Sequence, residues 1–254
     1  NIRPAKTYDG LHSPVKPFDL VVVRENTEGF YADRNMEQGS GEILVTPDVA
    51  ISLRRITRHC CERIAQTAFE LAQSRNKHLS IVHKANVLKI ADGMFIEVCR
   101  EVGKKFPEVR IDDFIVDAMA ALLVRDPAQF DVIVTTNMFG DILSDEAAGL
   151  VGGLGMAPGL CIGDGDVVMA QATHGSAPDI AGKGIANPYS MIESTRMMFD
   201  WLGHSKKIPE AIAMARAMSE ATTVALANPN ARTGDINGKG NTASMAKAVL
   251  DALK

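Results

Sequence analysis

Apolar positions along this chain fall into two patterns. Short unbroken runs bounded by charged or turn-forming residues mark buried strands, and longer stretches with apolar residues three and four apart mark helices. Residues 19–23 and 79–82 read as strands, as do 111–116 and the β-branched run 131–136. Helices are predicted over 91–105, 187–202 and 209–225, and from 139 until the pattern dissolves into the glycines of 149–155. Thr46-Pro47-Asp48 reads as a helix start, with Thr as N-cap and Pro at the first helical position, and that helix is predicted to run towards Ala72. Strands alternating with helices predict an α/β protein whose sheet is covered by helices. No internal repeat, low-complexity tract or linker-like stretch is visible.

Composition adds limits. A chain of 254 residues allows one large domain or two modest ones. A net charge of −4 gives no general attraction to nucleic acid or an anionic membrane surface. No apolar run is long enough to span a bilayer. Cys60, Cys61, Cys99 and Cys161 form no C-x-x-C pair and read as free thiols, which suggests a reducing compartment. The chain opens with Asn-Ile-Arg-Pro rather than Met, so its start says nothing about targeting. Charged candidates cluster before about residue 151 and glycine loops follow Gly152, which places an expected domain boundary near 151.

Several segments carry candidate chemistry. In NMFGDILSD (137–145), Asp141 and Asp145 share a helix face. Two carboxylates there repel by about 3 kcal/mol at an effective dielectric near 20. A hard divalent cation would offset that, but a helix cap and an exposed first-turn acid would also explain the pair. Asp117 in VDAM (116–119) stands where a strand ends and a helix begins, a common place for ligand sites and equally for a plain N-cap. Lys84 in HKAN (83–86) leaves a strand and could serve in acid–base work or lie on the surface. RENTEGFY (24–31) offers Arg24 as a bidentate carboxylate clamp and Tyr31 as a phenolic proton. Arg3, before Pro4 in an extended segment, is a second clamp. HGSAPDIAGKGIAN (174–187) is a loop of small residues whose amides could approach a phosphate or nucleotide; it is not G-x-G-x-x-G, and a surface loop is the alternative.

Together these segments resemble the β-decarboxylating dehydrogenases, the isocitrate, homoisocitrate and 3-isopropylmalate dehydrogenase family. NIRP, VRENTEGFY, HKANV, VDAMA, NMFGDILSD and the 174–187 stretch each occur once and in the family's order. The resemblance implies an isocitrate/isopropylmalate dehydrogenase-like α/β fold of two domains with a cleft between them. Residues 9–151 would form the smaller domain with the metal and substrate ligands and the dimer contact. Residues 152–254, with 1–8, would form the C-terminal half of the dinucleotide-binding domain.

It also implies roles. Asp141 and Asp145 would bind Mg²⁺ or Mn²⁺, joined by Asp117 from the partner of a homodimer with shared active sites. Arg3 and Arg24 would hold substrate carboxylates, and Asn86 would lie beside nicotinamide and substrate. Lys84, also lent by the partner, would be the acid–base residue, and Tyr31 would protonate the enol left after CO₂ departs. Cofactor binding falls to His174, Gly175, Ser176, Ala177, Asp179, Ile180 and Asn187. The family's NADP-linked bacterial isocitrate enzymes carry Lys-Tyr at the places of Asp179 and Ile180. A carboxylate there would accept from ribose hydroxyls and repel a 2′-phosphate, so NAD is expected.

The implied activity is NAD-dependent oxidative decarboxylation of a 2-hydroxy-3-carboxy acid; alternatives are a tartrate or malate dehydrogenase of the family, or a non-catalytic regulatory subunit of an isocitrate dehydrogenase. Partners would be a hydroxy-dicarboxylate or tricarboxylate, with no nucleic acid or membrane, and the location cytoplasmic, with a mitochondrial one left open. The sequence departs from the family's pattern in three places. His12, Ser13 and Lys16 occupy the stretch of a second carboxylate-binding arginine, with His12 or Lys16 as a substitute charge. Gln171 replaces an acidic residue shortly before His174. The family's first residues, roughly ninety, have no counterpart, so the chain is expected to be a piece of a longer protein with an exposed sheet edge.

Overall fold

A computed structural model describes residues 1–31, 33 and 35–253. In chain order it contains β1 (Ile2–Lys6), β2 (Asp19–Arg24), β3 (Glu42–Thr46), β4 (Val49–Ser52), α1 (Arg58–Ser74), β5 (His78–His83), α2 (Ala91–Gly103), β6 (Arg110–Ile115), α3 (Val116–Arg125), β7 (Val132–Thr135), α4 (Asn137–Val151), β8 (Pro158–Ile162), β9 (Val168–Ala172), α5 (Tyr189–Ser205), α6 (Pro209–Ala227) and α7 (Thr242–Ala252). They form two compact units, one of Leu20–Ser144 and one of Asn1–Asp19 with Asp145–Lys254. The mixed α/β class expected from the alternation is what the chain adopts.

In the 20–144 unit four parallel strands lie in the order β6-β5-β7-β2. Val22 pairs with Ile133 and Ile81 with Val134. Every residue of β5 and β7 is buried; β7 accordingly reads as a β-branched run, whereas β5 also buries Ser80, which donates to Asp112 at 2.7 Å. Helix α1 starts on Thr57, whose side chain accepts from the Cys60 N–H, and it buries Cys61, Ala65, Ala68, Phe69 and Ala72 along one face. Phe69 stacks on Phe106 at 5.3 Å. At Gly103 a Cβ would come within 2.8 Å of Phe69, so this close approach requires glycine. Because the four strands run the same way, their carboxyl ends gather on one edge. The chain leaves that edge at Arg24, Lys84, Val116 and Thr136.

The helix predicted from Thr46 is not there. Residues 42–52 form an antiparallel hairpin, with Ile43 opposite Ile51 and an irregularity between Leu44 and Thr46. Thr46 accepts the N–H of Asp48 through Oγ1 at 3.3 Å, the bond an N-cap would make, but here it closes a turn. The β-branched residues Ile43, Val45, Val49 and Ile51 favour strands on both sides of it. Helix α1 begins only at Arg58.

In the other unit β8 pairs antiparallel with both β1 and β9, as in Leu160 opposite Ala170. Ser194 of α5 locks onto these strands, accepting the Gly159 N–H at 3.0 Å and donating to the Gln171 carbonyl at 2.8 Å. Ala221, Ala225 and Val249 join α6 to α7. Helix α7, unmarked in the pattern, starts on a capping box between Asn241 and Ser244.

The four cysteines are free, and Cys60, Cys61 and Cys99 are buried. Burial pushes the Cys61 thiol up to about 12 and raises Cys99 as well, which makes both poor nucleophiles. Among the described residues no helix is long and apolar enough to cross a membrane.

Candidate active site

Arg24 ends β2 and is 5% exposed. Its Nε donates to the Asn137 carbonyl at 3.0 Å and to Asn137 Oδ1 at 3.1 Å. Nη2 donates to Asn137 Oδ1 at 2.6 Å and to the Tyr31 hydroxyl at 2.7 Å, and Nη1 makes an ion pair with Asp141 Oδ1. Tyr31 in turn donates to Asp141 Oδ2 at 2.9 Å. Burial, and then the bond to Asp141, raise the Tyr31 phenol above its ordinary range. The Asp141 side chain is 41% exposed, so a buried fork of donors ends on a carboxylate open to solvent.

Two glycines and one asparagine build this arrangement. A Cβ on Gly140 would lie 2.7 Å from Cγ and 2.8 Å from Cβ of Arg24, so only glycine leaves room for the guanidinium's stem. Gly29 has φ +96° and would press a Cβ to 3.0 Å from Asn137. Asn137 is buried and donates from Nδ2 to the Glu28 carbonyl at 2.6 Å, tying the 24–31 segment to the start of α4. Sequence reasoning missed Asn137 as a site residue. The available signal was a polar residue at the strand–helix junction.

Lys84 Nζ makes an ion pair with Asp117 Oδ1. That bond, followed by a backbone N–H at the start of α3, holds the Asp117 carboxyl below its usual range. The preceding His83 accepts the Ala85 N–H on Nδ1 at 3.1 Å and places Nε2 3.3 Å from Asp113. Asn86 is exposed in the turn that follows, where the Val87 N–H bonds the Lys84 carbonyl at 3.1 Å.

In the unit that contains it, Arg3 is 8% exposed on β1. Its Nε donates to Asn1 Oδ1 at 2.6 Å, and Nη1 stands 3.8 Å from Asp145 Oδ1. Ser13 donates to the Leu150 carbonyl at 2.8 Å, whereas His12 and Lys16 are exposed. Strand β9, not legible in the sequence, ends at Ala172 and feeds the 174–187 loop. His174, Gly175, Ser176, Ala177 and Asp179 are exposed there, Ile180 is half-buried, and Ala177 has φ +45°. Asn187 is different: it is buried, donates to Asp235 Oδ2 at 3.0 Å and accepts the Tyr189 N–H at 2.9 Å.

The predicted metal, clamp and acid–base residues thus fall into three sets: Arg24 with Tyr31 and Asp141, Lys84 with Asp117, and Arg3 with Asp145; Asn86 and the 174–187 residues lie outside these sets. Among the described residues of one chain no three His, Cys, Asp or Glu side chains form a metal cluster. The chain does offer two aspartates one turn apart on α4, both with side chains more than a third exposed. Hard oxygen donors of that kind fit Mg²⁺ or Mn²⁺.

Comparison with known proteins covers the same ground. The isocitrate/isopropylmalate dehydrogenase family matches residues 1–249. A 3-isopropylmalate dehydrogenase of Archaeoglobus fulgidus is 50% identical over 216 residues, which is 84% of this chain and 64% of that protein. An isocitrate/homoisocitrate dehydrogenase of Thermus thermophilus is 46% identical over 257 residues, 100% of this chain and 71% of that protein. The crystal structure of an isocitrate dehydrogenase from Methylococcus capsulatus superposes with a TM-score of 0.87 at 42% identity, covering 99% of this chain and 72% of that one. The chain therefore spans about two thirds of the length of these relatives. On its matched residues, its identity to these proteins and its fold, the chain belongs to the isocitrate/isopropylmalate dehydrogenase family.

Proposed function

We propose that this chain is the metal- and substrate-binding part of an NAD-dependent dehydrogenase that oxidises and decarboxylates a 2-hydroxy-3-carboxy acid of the isocitrate, homoisocitrate or 3-isopropylmalate type. The observation that carries the reading is the convergence of the Arg24 guanidinium and the Tyr31 phenol on Asp141. A clamp for a carboxylate, a proton source and an oxygen donor for a cation are brought together there.

Asp141 and Asp145 would hold Mg²⁺ or Mn²⁺, which when bound supplies Lewis-acid polarisation of a hydroxyl and its neighbouring carboxylate. Arg24 and Arg3 bind substrate carboxylates, exchanging their present acidic partners for them. Lys84 Nζ, once its ammonium has given a proton to solvent, takes the hydroxyl proton while the hydride on the same carbon passes to NAD, giving a keto acid. The C3 carboxylate then leaves as CO₂ and its bond electrons pass into an enolate. Tyr31 delivers a proton to C3, a task suited to a phenol kept protonated by burial. Asn86, exposed beside Lys84, faces nicotinamide and substrate, and the 174–187 loop holds the dinucleotide, with Asp179 accepting from the ribose hydroxyls.

The active unit is a homodimer. Within one chain Lys84 is engaged by Asp117 and not by the Arg24–Tyr31–Asp141 set, which favours Lys84 and Asp117 being lent to a second copy. The β3–β4 hairpin exposes Ile43, Leu44, Val45, Val49 and Ile51, an apolar patch that a partner would cover. The absence of a second arginine near His12 and Lys16 favours tartrate or malate as a second reading of the substrate. Turnover of isocitrate, homoisocitrate, 3-isopropylmalate, tartrate and malate with NAD and Mn²⁺ tests both readings. One of the five is expected to reduce NAD, and silence with all five overturns the proposal.

A further inference from the structure

Three segments of the 20–144 unit carry the proposed chemistry: 24–31, 83–86 and 136–141. One side chain that no motif singles out touches two of them and is linked to the third through a buried aspartate. Arg54 follows β4, and its side chain is 8% exposed. Its guanidinium carbon lies 5.8 Å from the ring of Phe30, the neighbour of Tyr31, and 5.5 Å from the ring of Phe139, in the first turn of α4. Nη2 donates to Thr136 Oγ1 at 2.9 Å. Nη1 makes an ion pair with Oδ1 of Asp92, whose side chain is fully buried. The other oxygen, Asp92 Oδ2, accepts the backbone N–H of Lys84 at 2.6 Å.

A carboxylate shut away from water is unfavourable unless its oxygens are paired. A plain core ion pair would satisfy Asp92 with Arg54 alone. Here the second oxygen is spent on the amide of the proposed acid–base residue. That bond fixes the point at which the chain leaves β5, and so the place from which the Lys84 side chain sets out. Arg54 in turn spans the Phe30 and Phe139 rings, so the position of Asp92 is referred to the same segments that hold Tyr31 and Asp141.

We propose that Arg54 and Asp92 are a positioning pair that fixes the point from which Lys84 leaves β5, and so how its side chain is presented to the site it serves. The proposal rests on the dehydrogenase reading. Asp92→Asn keeps the shape and removes the charge, and Arg54→Lys keeps the charge but loses the planar fork and the ring contacts. Both are expected to lower kcat by about 10²-fold, the cost of a small misplacement of a reacting group. KM for NAD is expected to stay unchanged, and the pH profile of kcat to shift, which loss of stability alone would not produce. Thr136→Val removes only the hydroxyl that holds Nη2, and a smaller fall in kcat is expected should the buried-pair variants not fold. In the unaltered protein the Lys84 amide hydrogen is expected to resist exchange although it lies at a loop. Parental kcat and pH profile in folded Arg54→Lys or Thr136→Val, or a Lys84 amide that exchanges like an exposed loop amide, overturns the pair's role. An unaltered protein that turns over none of the five acids counts against the dehydrogenase reading instead, and the amide exchange then still decides the pair.

Discussion

Tyr31 gives its phenolic hydrogen to Asp141 across 2.9 Å, so the proton that the proposed reaction needs is held by the very carboxylate that a divalent cation would claim. Tyr31→Phe removes the proton and keeps the ring beside Arg24. A fall in kcat of about 10²–10⁴-fold is expected, the range for losing a general acid. NADH formation and CO₂ release in a single turnover should both survive better than formation of the protonated keto acid, because protonation comes last. Stopped-flow NADH absorbance against quenched-flow assay of the keto acid makes the comparison; parental kcat in the variant rules Tyr31 out.

Asp141→Asn should weaken Mn²⁺ binding by more than the 10–100-fold that loss of an outer partner typically costs. Arg24, 5% exposed, would at the same time lose its charged partner. Titration of free Mn²⁺ by electron paramagnetic resonance gives the affinity. Equal affinity in parent and variant would remove Asp141 from the metal site.

Gly140→Ala tests the room left for Arg24. The added Cβ would stand 2.7 Å from Arg24 Cγ, so the guanidinium stem must shift. Overpacking of this kind costs about 1–3 kcal/mol. It should appear as a raised KM for the hydroxy acid with an unchanged KM for NAD; steady-state kinetics in both substrates separates the two.

Asp179→Lys with Ile180→Tyr should raise NADP use relative to NAD, since a cation replaces a carboxylate that repels a 2′-phosphate. The ratio of kcat/KM for the two cofactors is the measurement. An unchanged ratio would count against Asp179 as the ribose ligand.

Tyr8 and Tyr189 bond hydroxyl to hydroxyl at 2.9 Å, and burial, followed by the charge of Glu193, pushes Tyr8 from 10.0 up to about 12. The folded state holds the proton more tightly than the unfolded chain. The stabilisation is therefore complete below pH 10 and is lost as pH rises from 10 towards 12. Its size is about 3 kcal/mol from the pKa difference, less whatever solvent screening removes. Urea midpoints across that window should fall steeply for the parent and less for Tyr8→Phe; parallel curves would show that Tyr8 is not the titrating group.

What the sequence revealed and what it hid have physical causes. Arg24 stood out because the buried run Leu20–Val23 is uniformly apolar, so the first polar residue after it marks the strand's end. Lys84 and Asp117 follow less regular strands, β5 with Ser80 and β6 with Asp112 and Asp113, and were legible from the motifs around them. Thr46 misled because the same hydroxyl-to-amide bond serves a helix cap and a hairpin turn. Strand β9 is only partly buried and nearly featureless in composition, so it left no pattern. Arg54, Asp92 and Asn137 were invisible because a buried polar side chain is identified by its partners, and those lie up to 113 positions away in the chain, as for Asn137 and Arg24.

The β3–β4 hairpin has a kinetic consequence. A ribbon of two strands with every residue exposed has little to stabilise it alone, and its apolar side chains gain only when something covers them. If the cover is a second copy, then in dilute solution encounter between folded chains, not the folding of each, becomes the slow event. Activity regained after denaturation should then rise with the square of chain concentration in its initial rate, and a freshly made chain would remain inert until it met its equal.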